Sequence, residues 1–288
     1  MQLVQAEGGR ARRCYIAPMV ITRAPCPALQ AHVRLLWAAT ACPGASVTRE
    51  HVLPTGDMHL AFRMGGPSLR VYASPSDNQG LSLGQAVVGG ARSRFHARAA
   101  CGAASVGAML APGAALALLG APADALAGCH TPLAGLWGAH AEYSLDALSE
   151  AAGPEAQLDA LERILLQRLN RATDLSPAVA CVLARLRAGS SVGDAVAETG
   201  LSHRHVLTLF RQSTGIAPKQ YAGVLRMQRL LRRAARPGSP GWAELALQAG
   251  FCDQSHFNRD FLAFAGVTPR AWRRAAVAHP NHVPVAGR

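Results

Sequence analysis

Lysine is almost missing from this sequence of 288 residues: Lys219 is the only one, so the 29 basic side chains are nearly all arginine. An arginine-rich, lysine-poor composition follows from a GC-rich genome as readily as from function, so the choice itself carries no weight. Acidic residues are few as well, 17 in all, and the formal net charge is +12. The seven cysteines, Cys14, Cys26, Cys42, Cys101, Cys129, Cys181 and Cys252, are odd in number and never form a Cys-x-x-Cys pair. That scatter argues against a disulfide framework and a structural zinc site, and makes a reducing cytoplasm the expected setting. Residues 99–123 carry no charge, but their glycines, alanines and the prolines Pro112 and Pro122 make a membrane span a poor reading. Arg10, Arg12 and Arg13 precede an apolar stretch near the N-terminus, yet Arg23 and neighbouring prolines end it too early for a signal peptide.

What is present fits a globular protein of about two domains, with 50% apolar and 16% charged residues. The positive charge is not spread evenly. Residues 176–288 hold 15 basic and 5 acidic residues, a net +10 of the total +12. Such asymmetry marks a polyanion partner, nucleic acid first and an anionic membrane surface second. Before this basic third, Met58, Leu60, Phe62 and Met64 alternate with other residues, as do Leu69 with Val71 and Val106 with Ala108 and Leu110. Alternation with period two predicts half-buried strands over 47–110, and the turn signals between them suggest a small sandwich or barrel. Short helices are expected over 112–119 and 121–126, a longer one from Glu155 to Arg171, and another from Pro177 to Leu186. Leu158, Leu161, Leu165 and Leu169 form one stripe on the longer helix, to be used either for packing on its own domain or for a subunit contact.

The informative feature is an internal repeat about fifty residues apart. In one copy Gly200, Leu201 and Ser202 lead to Phe210, Gly215 and Pro218; in the other Gly250, Phe251 and Asp253 lead to Phe261, Gly266 and Pro269. Phe to Gly is five residues and Gly to Pro three in both copies. Each copy reads as a helix, a glycine turn and a second helix capped by Ser202 or Asp253. Leu201 and Phe251 should pack inward. Val206, Leu209 and Phe210 in one second helix, and Phe257, Phe261 and Leu262 in the other, should form its buried stripe. The opposite face is then free, as in a helix-turn-helix, whose second helix enters the DNA major groove. Pro218 to Ala235 would form a helix about 27 Å long that joins the two units.

These residues resemble the AraC-type family of bacterial transcription regulators. The pattern Gly200-x-Ser202, Phe210, Gly215-x-x-Pro218-x-x-Tyr221, with Arg226 between the copies, is followed by Gly250-Phe251-x-Asp253-Gln254-Ser255-x-Phe257-x-Arg259-x-Phe261 and Gly266-x-Thr268-Pro269. A weaker resemblance, through His51, Pro54, Gly56, Met58, Leu60, Val88-Gly89-Gly90, Gly107 and Pro112-Gly113-Ala114, is to the cupin-like sensor domain of one branch of these regulators. The resemblance implies an α+β chain: a cupin-like β-barrel or sandwich with helices, then an all-α tandem helix-turn-helix domain. The expected division is 1–150 for effector sensing, 151–187 as a helical linker or dimerisation segment, 188–276 for DNA binding and 277–288 as a flexible tail. By position, Arg204, Leu207 and Thr208 in the first reading helix, and Gln254, Ser255, His256 and Arg259 in the second, should face bases. Arg229, Arg232, Arg233, Arg270, Arg273 and Arg274 are available for phosphates, which position without specifying. Arg226 is either another of these or an ion-pair partner inside the domain. The implied partners are double-stranded DNA, with RNA polymerase, a small-molecule effector and a second copy of the chain within the family's range.

Rival classes are less well served. His32, His51, His59, His96, His130 and His140 include no His-x-His pair, and no glutamate follows at a cupin-ligand spacing, so no catalytic residue, metal or cofactor is expected. A DNA-repair methyl-transfer protein with a similar C-terminus would need a compact cysteine cluster near its start. An architectural protein binding nucleic acid without sequence choice would show strong salt dependence and almost no specificity ratio.

Overall fold

The computed structural model describes residues 20–42, 47–170, 174–275 and 279–285. The arginines at 10, 12 and 13, Cys14, and the expected helix end at Arg171 lie outside these residues. The N-terminal part is built from strands β1 (Val20–Arg23), β2 (Val33–Ala39), β3 (Thr48–Val52), β4 (Met58–Met64), β5 (Arg70–Tyr72), β6 (Leu81–Ser82), β7 (Ala86–Gly89), β8 (His96–Ala100), β9 (Ala104–Leu110) and β10 (His130–Pro132). They form two antiparallel sheets. One runs β1-β2-β9-β4-β7-β10; the other contains β3-β8-β5-β6. The alternation read in the sequence is real in β4: Met58, Leu60 and Phe62 are buried, and Phe62 lies 6.4 Å from the Trp137 ring under the helices. His59, Ala61 and Arg63 therefore point to the opposite face, towards the second sheet. Strands β1 and β2 were not anticipated, because the flanking prolines and Arg23 break the apolar run that leads to them.

Helices α1 (Ala134–Trp137), α2 (His140–Glu150) and α3 (Gly153–Arg168) cover the first sheet. Leu158, Leu161 and Leu165 of α3 are fully buried against β2, β9 and α2. The leucine stripe thus serves the core of its own domain. Helical turns at Ala115–Leu119 and Ala123–Leu126 stand where short helices were expected.

Among the described residues seven helices make the C-terminal part: α4 (Pro177–Ala188), α5 (Val192–Ala197), α6 (His203–Thr214), α7 (Pro218–Ala234), α8 (Trp242–Gln248), α9 (Gln254–Ala265) and α10 (Pro269–Arg274). Helix α4 packs on α5, α6 and α7, burying Val179, Val182, Leu183 and Leu186. It therefore belongs to this helical core and not to a linker ending at 187. The expected flexible tail also departs from its reading, since β11 (His282–Val285) pairs antiparallel with β3 and buries Val283 at the edge of the second sheet. Residues 276–278 and 286–288 lie outside the described residues.

The two parts are joined by more than the chain. The glycine turns that end α6 and α9 both seat on the segment between β7 and β8. A Cβ on Gly215 would lie 3.1 Å from that of Ala91, and one on Gly266 would lie 2.4 Å from Phe95 Cζ. Phe95 N donates to the Phe264 carbonyl at 2.9 Å, and His51 Nδ1 donates to the Ala265 carbonyl at 3.1 Å. Gln228 of α7 donates to the Pro54 carbonyl at 2.7 Å and to Asn281 Oδ1 at 2.8 Å. Among the described residues no helix is long and apolar enough to cross a membrane.

Candidate nucleic-acid interface

In the first unit Gly200 takes φ +67° and turns the chain from α5 into α6. Ser202 caps α6, its hydroxyl accepting from His205 N at 3.4 Å. Val206 and Phe210 are buried, Phe210 against Tyr221 at 5.7 Å. Leu209 is half-buried, and Leu201 is 43% exposed instead of packing inward. Arg204 and Thr208 are exposed and Leu207 is half-buried on the α6 surface.

The second unit repeats the device with more aromatic rings. Gly250 has φ +79°, and the Asp253 carboxylate accepts from His256 N at 2.7 Å. Phe251, Phe257 and Phe261 are buried, and Trp242 packs on Phe257, Phe261 and Trp272 at 5.4 to 5.9 Å. Leu262, expected inside, is 48% exposed. It borders a cleft with Trp242, Gln254, Asn258, Arg259 and Arg270, because the aromatic layer already fills the interior on that side. Gln254, Ser255 and Arg259 are exposed on α9. His256 is half-buried, 5.6 Å from the Phe251 ring and 3.5 Å from Asp260.

The arginines divide. Arg226 pairs with Asp260 at 3.4 Å and lies 4.1 Å over the Phe251 ring, so it ties α7 to α9 from within. Arg273 donates to the Pro240 carbonyl at 3.0 Å and covers the Trp242 ring at 4.5 Å, which holds the α7–α8 connection. Arg229 donates to the Arg187 carbonyl at 3.4 Å and is exposed. Arg232, Arg233, Arg270 and Arg274 are exposed with no protein acceptor among the described residues. Helices α6 and α9 both have their C-terminal ends on the N-terminal domain and their capped N-terminal ends, with the polar side chains, exposed.

The fold also gathers residues that sequence spacing kept apart. His59 of β4, His96 of β8 and His130 of β10 converge between the sheets, with ring centroids 4.4 Å (His96 to His130) and 6.1 Å (His59 to His130) apart. Burial, reinforced by Arg92 and Arg98, pushes His59 down to about 3, His130 to about 2 and His96 well below its usual range. Arg92, which donates to His130 Nδ1 at 3.3 Å, is itself lowered to about 10 by burial. No group of three or more His, Cys, Asp or Glu side chains among the described residues is arranged to hold a metal ion. Separation in sequence hid this cluster, as it hid the tail's role. Burial would raise the Glu50 carboxyl, but the hydrogen bond from His282 at 3.2 Å and the charge of Arg98 at 2.6 Å hold it at about 2.

A model for a helix-turn-helix domain matches residues 195–275, and one for a domain of unknown function, DUF6597, matches residues 21–132. No curated protein matches the chain. Among solved structures, a 1.65 Å structure of ToxT from Vibrio cholerae is similar at 11% identity over 81% of this chain and 98% of that one, with a TM-score of 0.44. ToxT from strain SCE256, bound to an unsaturated fatty acid, is similar at 12% identity over 92% of this chain and 98% of that one, with a TM-score of 0.41. With its C-terminal match falling on two glycine-turned, capped helix pairs, the chain carries an AraC-type helix-turn-helix domain over residues 195–275, which supports a DNA-binding transcription regulator, and an N-terminal DUF6597 domain over residues 21–132.

Proposed function

We propose that the protein regulates transcription by reading two successive major-groove segments of double-stranded DNA, one with α6 and one with α9. The observation that carries this reading is the parallel use of the two helices: each is seated by its C-terminal glycine turn on the N-terminal domain and presents its N-terminal half to solvent. The first residues of a reading helix are those that reach base edges. In this reading Arg204, Leu207 and Thr208 face one segment, and Gln254, Ser255, His256 and Arg259 the other. Arg229, Arg232, Arg233, Arg270, Arg273 and Arg274 contact phosphates, of which Arg273 also holds its own domain together. The functional division falls near residue 174, between a β-rich control domain, answering to a small-molecule effector, and the helical reader. Because both glycine turns rest on the β7–β8 segment, a shift of that segment changes how both helices are presented.

Binding-site selection with the full chain tests the reading. Two half-motifs about one helical turn apart are expected, with a specific affinity at least a thousand-fold above that for random duplex. A single half-motif would remove one helix from the reading, and no enriched sequence would leave only salt-dependent, unspecific binding.

A further inference from the structure

A cavity of about 580 Å³ opens on the N-terminal domain where β4, β5 and the end of β8 meet the turn before β6. Its volume lies in the range of small-molecule sites. Arg63 enters from β4 and Arg70 from β5, with Tyr72, Pro67, Val47 and Ala99 supplying apolar wall. Among the described residues no carboxylate lines it. The half-buried Arg63 guanidinium donates to the Pro67 carbonyl at 3.3 Å, Cys101 Sγ at 3.1 Å and the Ala99 carbonyl at 3.3 Å, and to no carboxylate among the described residues. Arg70 donates to the carbonyls of Gln79 and Gly80, and Arg49 lies 3.8 Å over the Tyr72 ring, adding a third positive charge beside the cavity. Of the nearby acids, Asp77 accepts from the backbone N–H groups of Ala73, Gly80 and Gln79 at 2.8 to 3.1 Å, and Glu50 is paired with Arg98 at 2.6 Å and His282 at 3.2 Å.

A cation removed from water without a counter-charge is costly, and an anion entering the site would supply it. Burial lowers the Arg63 pKa and Arg98 adds to it, while Cys101 and the more distant Glu50 act the other way. We propose that this cavity binds a small organic anion, with its carboxylate or phosphate group between Arg63 and Arg70 and its body against Tyr72, Pro67 and Val47. The chemistry selects against metal cations, which three guanidinium groups repel. It also selects against neutral ligands, which bring no charge to the Arg63 and Arg70 guanidinium groups. The site stands independently of the DNA-reading assignment, because binding is measured on the protein without DNA.

The test is calorimetric titration of the full chain with benzoate, phenyl phosphate and neutral benzamide. At least one of the two anions is expected to bind with one-to-one stoichiometry, more weakly as salt is raised, while benzamide gives no saturable heat. Arg70→Gln, at an exposed position that leaves the Arg63 contacts in place, should weaken the anion by roughly ten-fold or more, the worth of one charged hydrogen bond. Arg63→Gln should abolish binding, with thermal unfolding separating loss of site from loss of fold. The proposal is overturned if neither anion binds, if benzamide binds as well as benzoate, or if Arg70→Gln leaves the affinity unchanged. Competition by duplex DNA that is unaffected by Arg70→Gln would equally overturn it, placing the anion on the reader domain.

Discussion

At the scale of single residues, the helical domain separates arginines held by the protein from those whose guanidinium groups are exposed, which the proposed reading gives to DNA. Arg226 is taken up by Asp260 and Phe251, and Arg273 by Pro240 and Trp242. Arg259 is exposed on α9, five residues after Gln254, beside the cleft under Leu262. An arginine reaching guanine O6 and N7 discriminates by about 1 to 3 kcal/mol. Arg259→Ala should therefore weaken the selected site by roughly ten- to a hundred-fold and relax preference at one base position. Arg232→Ala is the control, because Arg232 makes no internal contact among the described residues whose loss would confuse stability with binding. It should weaken all sequences alike and flatten the salt slope by about one unit. Equal loss on selected and random DNA for Arg259→Ala would make Arg259 a phosphate clamp.

At the scale of elements, α3 shows how a pattern can be correct and its use left open. The spacing of Leu158, Leu161 and Leu165 specifies one apolar stripe, but not which surface receives it. The sheet receives it, through β2 and β9, and all three leucines are fully buried. Leu161→Ala should thus cost about 2 to 5 kcal/mol through a cavity under the sheet. Thermal unfolding would show the loss, and sedimentation of the folded variant should match that of the parent chain. A changed association state with unchanged stability would return the stripe to a subunit contact.

At the scale of the molecule, the N-terminal domain holds half-buried imidazoles that the fold keeps neutral. His59, His96 and His130 have pKa values lowered by burial first and by Arg92 and Arg98 second. A histidine depressed in the fold stabilises fully above its unfolded value, about 6.5, and that stability is lost as pH falls, because the unfolded chain takes up the proton. Each contributes a slope of about 1.4 kcal/mol per pH unit well below 6.5. Unfolding temperature should fall steadily from pH 7 to pH 5, and His59→Gln should flatten that fall by one proton. A flat profile over this window would contradict their burial as neutral rings. Glu50, held at about 2, acts in a separate and lower window, its stabilisation present above about 4.5 and lost as pH falls towards 2.

The sequence by itself determined what rests on local and periodic information. The repeat of glycine turn, cap and aromatic stripe defined the second helix of each unit, since Gly200, Gly250, Ser202 and Asp253 act within a few residues of themselves. Alternation likewise marked β4, β5 and β9. Tertiary structure decided the rest, because it depends on partners far apart in the chain. Leu262 is exposed because Trp242, Phe257 and Phe261 fill the space it would occupy. The tail is a strand because β3 offers an edge more than 200 residues upstream. The histidine and arginine clusters exist only where two sheets face one another, which no spacing along the sequence records.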